Sequence, residues 1–357
     1  MAVTLRDVAQ HAGVSARTVS NVVNGFPHIS PAMRAKVEAA LSELNYKPNL
    51  LARSLRQGRT GIITLLVPEI AVSYFGELAH EVVEQASERG FTVMIDETGG
   101  QPNRERALLD GAAESNWVDG VLLSSQGLHG RDLAGLAPSM PVVLLGERTA
   151  RTALDHVGID NVKAAREVVR HLIDSGCRRI AAIGGSVGAS DATSHLRLKG
   201  YRQELRAAGL PADGLYARTP DYTRASGAAA VRSLLGREDR PDGLFCFSDE
   251  LAAGVLRELY EQRLSVPSDV SVAGFDDVAE ARFATPSLTS IRPDKAKIAT
   301  VALDMLLQRM QGSEAKPRDV RIEYELIVRE SSTLSRSARS LARPVQRGAA
   351  RRPWSPP

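Results

Sequence analysis

From Gly61 onward, short apolar runs rich in β-branched residues alternate with longer stretches whose apolar positions recur at helical spacing. The runs predict strands at 61–67, 91–96, 120–125, 142–147, 179–185, 243–248 and 270–276. This alternation is typical of parallel sheets covered by helices on both faces. Two sets of units, near 61–160 and 161–290, predict two similar lobes. Residues 292–312 and 320–331 follow as a helix and a last strand.

The first 45 residues show only helical periodicity. The positions at which a helix-turn-helix needs a small residue, a turn glycine and two apolar anchors are occupied by Ala9, Gly13, Val19 and Val22. Thr4 is expected to cap the first helix, with Asp7 in the capping-box position, and Ser15 to cap the second. Ser30-Pro31 would open a third helix that covers the other two.

The exposed face of the predicted second helix carries short or hydrogen-bonding residues, namely Ala16, Arg17, Thr18, Ser20 and Asn21. A merely solvated helix face would carry more Glu and Lys. The alternative, a three-helix bundle with no role in nucleic-acid binding, is therefore less well supported. Arg17 is the best candidate for reading a base, because a guanidinium can bond O6 and N7 of guanine together.

Three segments carry a family resemblance: VTLRDVAQHAGVSARTVSNVVN, ELNYKPN and LLARSL, in this order. They closely resemble the LacI/GalR family of bacterial transcriptional regulators, and the resemblance runs from Val3 to about Ser331. It implies an all-α helix-turn-helix headpiece (1–47), then a hinge helix and linker (48–60). An α/β, two-lobed, periplasmic-binding-protein-like domain (61–334) would bind an effector and dimerise.

Within that domain, the first lobe would comprise about 61–160 plus 292–318, and the second about 161–290 plus 319–334. Residues 335–357 hold six Arg and no acid and are rich in Ala, Ser and Pro, which predicts a disordered basic tail. Some family members end in a leucine-heptad helix that joins dimers into tetramers. This tail has no such repeat, so the expectation is a homodimer.

By resemblance, the dimer is a repressor that places its second helices in successive half-sites of a palindromic double-stranded DNA operator. Asn21, one turn after Arg17, is expected to read adenine or reach a phosphate, and Ala16 offers a methyl contact. Leu55 would enter the minor groove and kink the duplex. The other residues expected at the DNA are Thr4, Ser15, Thr18, Ser20, Asn24, His28, Asn49 and Ala52.

Open parallel sheets bind ligands outside the carboxyl ends of their strands, so two facing sheets predict a cleft between the lobes. The side chains expected there are Tyr74, Phe75, Asp191, Thr193, Arg197, Tyr222, Ser248 and Asp276. By resemblance, Arg197 is the central ligand-binding arginine and Asp276 is the carboxylate that bonds hydroxyls or ring NH groups. Tyr222 and Phe75 match aromatic residues that stack on the ligand from the two lobes.

Several alternatives stay open at the cleft. Many family members have asparagine where this chain has Ser248, so the sugar is not identified. Asp249 and Asp160 are interpreted as helix N-caps rather than ligand contacts. For Arg197 the alternative is a salt bridge with acids of the body. The family favours a sugar effector, whereas Tyr74-Phe75 resembles its purine-binding branch; control by a corepressor rather than an inducer is the other alternative.

The net charge of +3 is unevenly distributed. Residues 1–60 hold eight Lys or Arg and three Asp or Glu, and the tail is basic, so the segment between them is acidic. A basic headpiece on an acidic body favours DNA docking by one end only. Cys177 and Cys246 are expected to be buried free thiols. No signal-peptide pattern and no bilayer-length apolar run occur, so the expected location is the cytoplasm, at the nucleoid.

An enzyme is the main rival class. The chain lacks a Gly-rich phosphate loop, a nucleophile elbow and a histidine cluster at metal-ligand spacing. We therefore expect no catalytic residues, no metal and no cofactor. The second rival is a secreted sugar-binding protein of the same two-lobed fold, against which the headpiece and the missing signal peptide argue.

Overall fold

The computed structural model describes residues 3–23, 26–46, 59–115, 117–128, 132, 140–146, 152–185, 192–212 and 215–333. The chain divides into two compact units, Met1–Gly61 and Ile62–Pro357. The described residues of the first unit form three helices, α1 (Leu5–His11), α2 (Ala16–Val23) and α3 (Pro31–Glu43).

Small and β-branched side chains build the core of the first unit, in which the buried residues are Val8, Ala9, Ala12, Val19, Val22, Val37 and Ala40. The alanines let the three helices approach closely. Gly13 has φ +60°, so the α1–α2 turn uses the left-handed conformation that favours glycine. In α3, Val37 and Ala40 are buried in this core, whereas Leu41 and Leu44 are only partly buried against it.

The predicted caps of this unit are confirmed. Thr4 Oγ1 accepts from the amide of Asp7 at 3.3 Å, and Asp7 Oδ2 accepts from the amide of Thr4 at 2.8 Å, which completes a capping box. Ser15 Oγ accepts from the amide of Thr18 at 3.0 Å, at the start of α2. Ser30 caps α3, with Pro31 at its first position.

The second unit contains two six-stranded sheets. The first comprises β1 (Ile62–Val67), β2 (Thr92–Glu97), β3 (Gly120–Ser124), β4 (Val142–Leu145), β5 (Asp155–Gly158) and β11 (Asp319–Arg321), in the order β11-β5-β4-β3-β1-β2. The second comprises β6 (Ile180–Ile183), β7 (Tyr216–Ala217), β8 (Gly243–Cys246), β9 (Ser271–Phe275), β10 (Thr289–Pro293) and β12 (Tyr324–Ile327), in the order β12-β10-β9-β8-β6-β7. Among these described strands, neighbours are parallel except β10 and β12.

Helices pack on both sheets, as the alternating pattern predicted. They are α4 (Ser73–Glu88), α5 (Pro102–Ser115), α6 (Asn161–Asp174), α7 (Ala192–Ala207), α8 (Arg224–Leu235), α9 (Asp249–Glu261), α10 (Ala279–Phe283) and α11 (Lys295–Met310), with a 3₁₀ turn at Glu330–Ser332. The central strands are fully buried, as expected for parallel sheets covered on both faces. Cys177 and Cys246 are buried free thiols, and burial raises the pKa of both.

The structure corrects the boundaries of the last elements. Residues 292–293 end β10 instead of opening a helix, and the predicted last strand at 320–331 divides into β11 and β12. Residues 319–321, assigned from the sequence to the second lobe, pair with β5 in the first sheet. The chain therefore crosses between the lobes near 159–160, at 294 and at 322–323.

Long-range polar contacts explain the position of β11. The buried carboxylate of Asp155 accepts from Arg309 Nε at 2.9 Å and from the amide of Arg318 at 2.7 Å. The next residue, His156, has its Nδ1 2.8 Å from Asp319 Oδ1. These contacts fix the segment before β11 and its first residue to β5.

Candidate DNA-binding surface and effector cleft

The outer face of α2 is available to a partner. Ala16 and Arg17 are exposed, and Ser20 and Asn21 are partly exposed, while Val19 and Val22 face the core. Ser15 Oγ also lies 2.9 Å from Thr18 Oγ1, so both hydroxyls belong to the cap of α2. The backbone amides that begin this helix and the exposed guanidinium of Arg17 both favour an anionic partner.

The loop after α2 contributes a second part of this surface. His28 is exposed and packs edge-on against the ring of Phe26, with centroids 5.8 Å apart. Arg34 of α3 donates to the carbonyl of Phe26 at 3.0 Å and so fixes the loop. Four predicted DNA contacts, Asn24, Asn49, Ala52 and Leu55, lie outside the described residues.

Arg197 of α7 lies near the carboxyl ends of the second sheet, as predicted, and is buried. Its Nε donates to Asn161 Oδ1 at 2.7 Å, and Nη1 donates to the carbonyl of Phe247. The guanidinium carbon lies 3.4 Å from the ring centroid of Phe275, and Nη2 lies 3.7 Å from Asp276 Oδ1. Stacking and hydrogen bonds thus hold a cation at fixed orientation beside a carboxylate.

Asp276 follows β9 in an unusual backbone conformation. Its φ is +109° and that of Asp277 is +42°, values that non-glycine residues rarely adopt. Burial raises the pKa of Asp276 to about 6, although Arg197 and Lys295 oppose this shift. Asp276 and Arg197 together offer acceptors and donors side by side, a combination suited to vicinal hydroxyl groups.

Asp249 holds the turn that contains Asp276. The sequence interpretation of Asp249 as an N-cap is wrong, because Ser248 Oγ caps α9 by accepting from the amide of Leu251 at 3.2 Å. Asp249 instead accepts from the amide of Val278 at 3.0 Å and from Ser290 Oγ at 2.7 Å. Burial and the nearby Asp276 raise the pKa of Asp249 well above its ordinary value. Asp160, in contrast, caps α6 as predicted.

The other predicted cleft residues are placed as follows. Tyr74 is partly buried at the start of α4, whereas Phe75 lies in the hydrophobic core, 9% exposed, with the two rings edge to face at 5.2 Å. Thr193 lies in the first turn of α7, and Tyr222 lies just before α8, partly buried. Asp191 lies outside the described residues.

Residues that the sequence analysis did not select also line the junction of the lobes. Ser73 Oγ of α4 lies 3.1 Å from Glu280 Oε1 and 3.4 Å from Glu250 Oε1 in the second lobe. Glu77 and Lys295 form an ion pair at 2.9 Å. Asn161, the first residue of α6, accepts from Arg197 Nε and so positions the guanidinium. No local pattern marks these residues, since each one gains its role from a partner distant in the chain.

Comparison with known proteins places this geometry in context. Residues 4–49 match the profile described as bacterial regulatory proteins, lacI family, and residues 169–332 match a periplasmic binding protein-like domain. The chain is 34% identical to the ribose operon repressor of Escherichia coli (strain K12) over 331 residues, 92% of this chain and 99% of the relative. The chain belongs to the lacI family.

Solved structures of transcriptional regulators agree with this assignment. The lac repressor dimer bound to operator and the anti-inducer ONPF is 27% identical to this chain, with a TM-score of 0.83. The match covers 94% of this chain and 100% of the lac repressor chain. The transcriptional regulator CelR, in a complex with cellobiose, is 34% identical to this chain, with a TM-score of 0.68. The match covers 92% of this chain and 99% of the CelR chain.

Family membership fixes the class of function: the chain is a DNA-binding transcriptional regulator and not an enzyme. The two-sheet α/β body and the helix-turn-helix unit are those of the family, as predicted. Over the described ranges, no three His, Cys, Asp or Glu side chains are grouped to hold a metal ion. Among the same residues, no helix combines the length and apolar character needed to cross a bilayer.

Proposed function

We propose that this lacI-family protein is a repressor that binds a palindromic operator as a homodimer in the cytoplasm and responds to a sugar in the interlobe cleft. The pairing of Arg197 with Asp276 at the carboxyl ends of the second sheet is the observation that carries the sensor part of this proposal. The DNA part rests on α2, whose exposed face carries Arg17 in a first turn that Ser15 caps.

At the operator, each α2 lies in a major-groove half-site. Arg17 reads a guanine, Asn21 contacts a base or phosphate one turn later, and Ala16 meets a methyl group. Thr4, Ser15, Thr18, Ser20, Asn24, His28 and Asn49 position the protein on the DNA backbone. Ala52 is a further contact of the hinge segment, and Leu55 is the wedge that enters the minor groove at the centre of the site.

A sugar fits the chemistry of the side chains at the interlobe cleft. Arg197 presents N–H donors and Asp276 presents acceptor oxygens, and vicinal hydroxyl groups need both. Tyr74 and Tyr222 supply aromatic surface for the apolar face of a ring. The relatives point the same way, since one is named for ribose and one is a complex with cellobiose.

The effector acts by stabilising one angle between the lobes. Because the chain crosses three times between them, a change of angle is a rotation about a short hinge rather than a deformation of either sheet. The effector shifts operator affinity only through its different affinity for the two lobe arrangements.

Two measurements test the proposal. Selection from random DNA duplexes with the full-length protein should return a palindrome, and a thermal-shift screen of sugars and nucleobases should single out a sugar. A sugar hit should then change the affinity for the selected palindrome. If no duplex is enriched, the proposed repressor function is contradicted. If a nucleobase rather than a sugar stabilises the protein, the proposed effector is wrong, but the proposed DNA-binding function is unaffected.

A further inference from the structure

The loop that carries Asp276 is held from both lobes. On its own side, Asp249 and Ser290 bond the amides that follow Asp276: Asp249 accepts from Val278, and Ser290 Oγ accepts from Asp277 at 3.1 Å. On the opposite side, the contacts come from Glu77 and Lys295, which belong to the first lobe. The conformation of the loop is therefore not a property of the second lobe alone.

Glu77 and Lys295 are first-lobe residues by the packing of their helices. Glu77 lies in α4, Lys295 is the first residue of α11, and α11 packs on α4, β3, β4 and β5. The two side chains form an ion pair, Nζ to Oε2, at 2.9 Å.

Each member of the pair also bonds the main chain of the second lobe. Glu77 Oε1 accepts from the amide of Ala279 at 2.7 Å, and Lys295 Nζ donates to the carbonyl of Asp276 at 2.7 Å. The ammonium lies 5.7 Å from the ring centroid of Tyr74 as well. The Lys295 ammonium thus holds the carbonyl at the start of the 276–279 segment, and the Glu77 carboxylate holds the amide at its end.

We infer that Glu77 and Lys295 form an interlobe latch, which positions Asp276 from the opposite lobe and holds the lobes at the angle seen here. Charge-assisted hydrogen bonds to main-chain groups are stronger than neutral ones, and the Lys295 side chain is only 10% exposed, so water replaces these bonds poorly. Opening the cleft breaks both bonds to the 276–279 segment together. The Glu77–Lys295 ion pair itself stays within the first lobe and does not oppose opening.

The latch gives the sensor a direct route from ligand to lobe angle. In the proposed function, on which this consequence rests, the effector bonds the Asp276 carboxylate. The carbonyl of the same residue is bonded to Lys295, so a ligand that reorients Asp276 changes the strength of the contact between lobes. Residues 77 and 295 are thus positioning residues for the effector site rather than ligand contacts.

The test measures the lobe angle in full-length protein without any ligand. Spin labels at exposed positions, Glu114→Cys in the first lobe and Glu238→Cys in the second, report the interlobe distance by double electron–electron resonance, with excess unlabelled chain present to suppress distances between subunits. Lys295→Met keeps the apolar stem and removes the charge. It should raise the ratio of long to short distances about tenfold or more, as expected for the loss of a hydrogen bond to a charged group.

Matched variants separate the latch from a general charge effect. Lys297→Met removes an exposed lysine from the same helix and should leave the distance distribution unchanged. Lys295→Arg should retain the wild-type distribution, and Glu77→Gln should shift it in the direction of Lys295→Met. A Lys295→Met distribution that superimposes on wild type, or a shift of equal size with Lys297→Met, would overturn the latch. Neither result would affect operator selection, which tests the proposed function separately.

Discussion

Asp276 combines a strained backbone with a buried charge. Its pKa is raised to about 6 mainly by burial, with Glu77 and Glu250 adding to the shift and Arg197 and Lys295 opposing it. A carboxyl group whose pKa is raised on folding binds more protons in the native than in the unfolded state between its two pKa values. Its contribution to the free energy of unfolding therefore decreases as pH rises from about 4 to 6.

The first prediction is that Asp276→Asn abolishes this pH dependence. Urea denaturation at each pH gives the free energy of unfolding of both proteins. As pH falls from 7 to 4, the value for wild type should rise relative to the value for the variant. Effector affinity should show the opposite trend, because only the ionised carboxylate accepts from two hydroxyl groups. A difference that stays constant across this range would mean that Asp276 titrates as an ordinary surface aspartate.

The second prediction concerns Arg17. Arg17→Ala should cost about 1–3 kcal/mol on a selected operator and relax discrimination at one symmetric base pair, because a bidentate contact to guanine distinguishes bases. Binding measurements on a series of single-substitution operators give the result. Equal loss on every sequence would make Arg17 a phosphate contact, and the salt dependence of binding would then fall as well.

At the residue scale, the sequence predicted which side chains lie at the cleft better than it predicted their hydrogen-bond partners. Arg197 and Asp276 were both expected in the cleft, and the two side chains lie 3.7 Å apart. The sequence placed the cap of α9 at Asp249, although Ser248 and Asp249 are both good capping residues. The decision depends on long-range partners, since Val278 and Ser290 engage the carboxylate and leave the serine hydroxyl to cap.

At the scale of elements, close helix packing determines where glycine is required. In the α8–α9 pair, a Cβ at Gly254 would lie 1.8 Å from the carbonyl oxygen of Arg224, and one at Gly227 would lie 2.2 Å from that of Leu251. Backbone atoms cannot yield as a flexible side chain would. The two helices therefore approach as they do only because these positions lack side chains.

The third prediction follows from this packing. Gly254→Ala should lower the free energy of unfolding by about 1–3 kcal/mol, since the added methyl group forces the helices apart. Gly111→Ala in α5 is the matched control, because a Cβ added there would have no described atom within 4 Å apart from its chain neighbours and the backbone of its own helix. It should stabilise the protein by about 0.4–1 kcal/mol. Both values come from chemical denaturation, and a neutral Gly254→Ala would show that α9 can shift freely.

Strands with a continuous apolar run were predicted from the sequence, whereas β5, β7 and β10 were not. In β5, Asp155 and His156 are polar residues of a kind typical of loops. They can be buried in a strand because Arg309 and Asp319, which lie far along the chain, pair with them. β7 has only two residues, and β10 ends in Pro293. Local periodicity cannot predict strands whose polar side chains are paired by another part of the fold.

At the scale of the whole molecule, one apolar surface of the second lobe has no partner within the described chain. Phe283 at the end of α10 is 80% exposed, and Ala253 and Leu256 of α9 line the groove beside it, with Arg224 and Glu280 at its edge. An exposed aromatic side chain beside an apolar groove with a charged rim is typical of a protein interface. In a homodimer related by a two-fold axis, such a patch would face its own copy.

The last prediction is that Phe283→Glu disrupts the proposed homodimer. A carboxylate at this position would have to be buried without a partner, so the sedimentation-equilibrium mass should shift from dimer toward monomer at micromolar concentration. Trp117→Glu changes an aromatic residue of the first lobe that is also largely exposed, at 70%, and should leave the mass unchanged. Because two linked half-sites bind far more tightly than one, the monomeric variant should also bind the full palindrome only about as tightly as a half-site. A Phe283→Glu protein that remains dimeric would move the interface elsewhere on the body, whereas a monomer that keeps full operator affinity would separate dimerisation from DNA recognition.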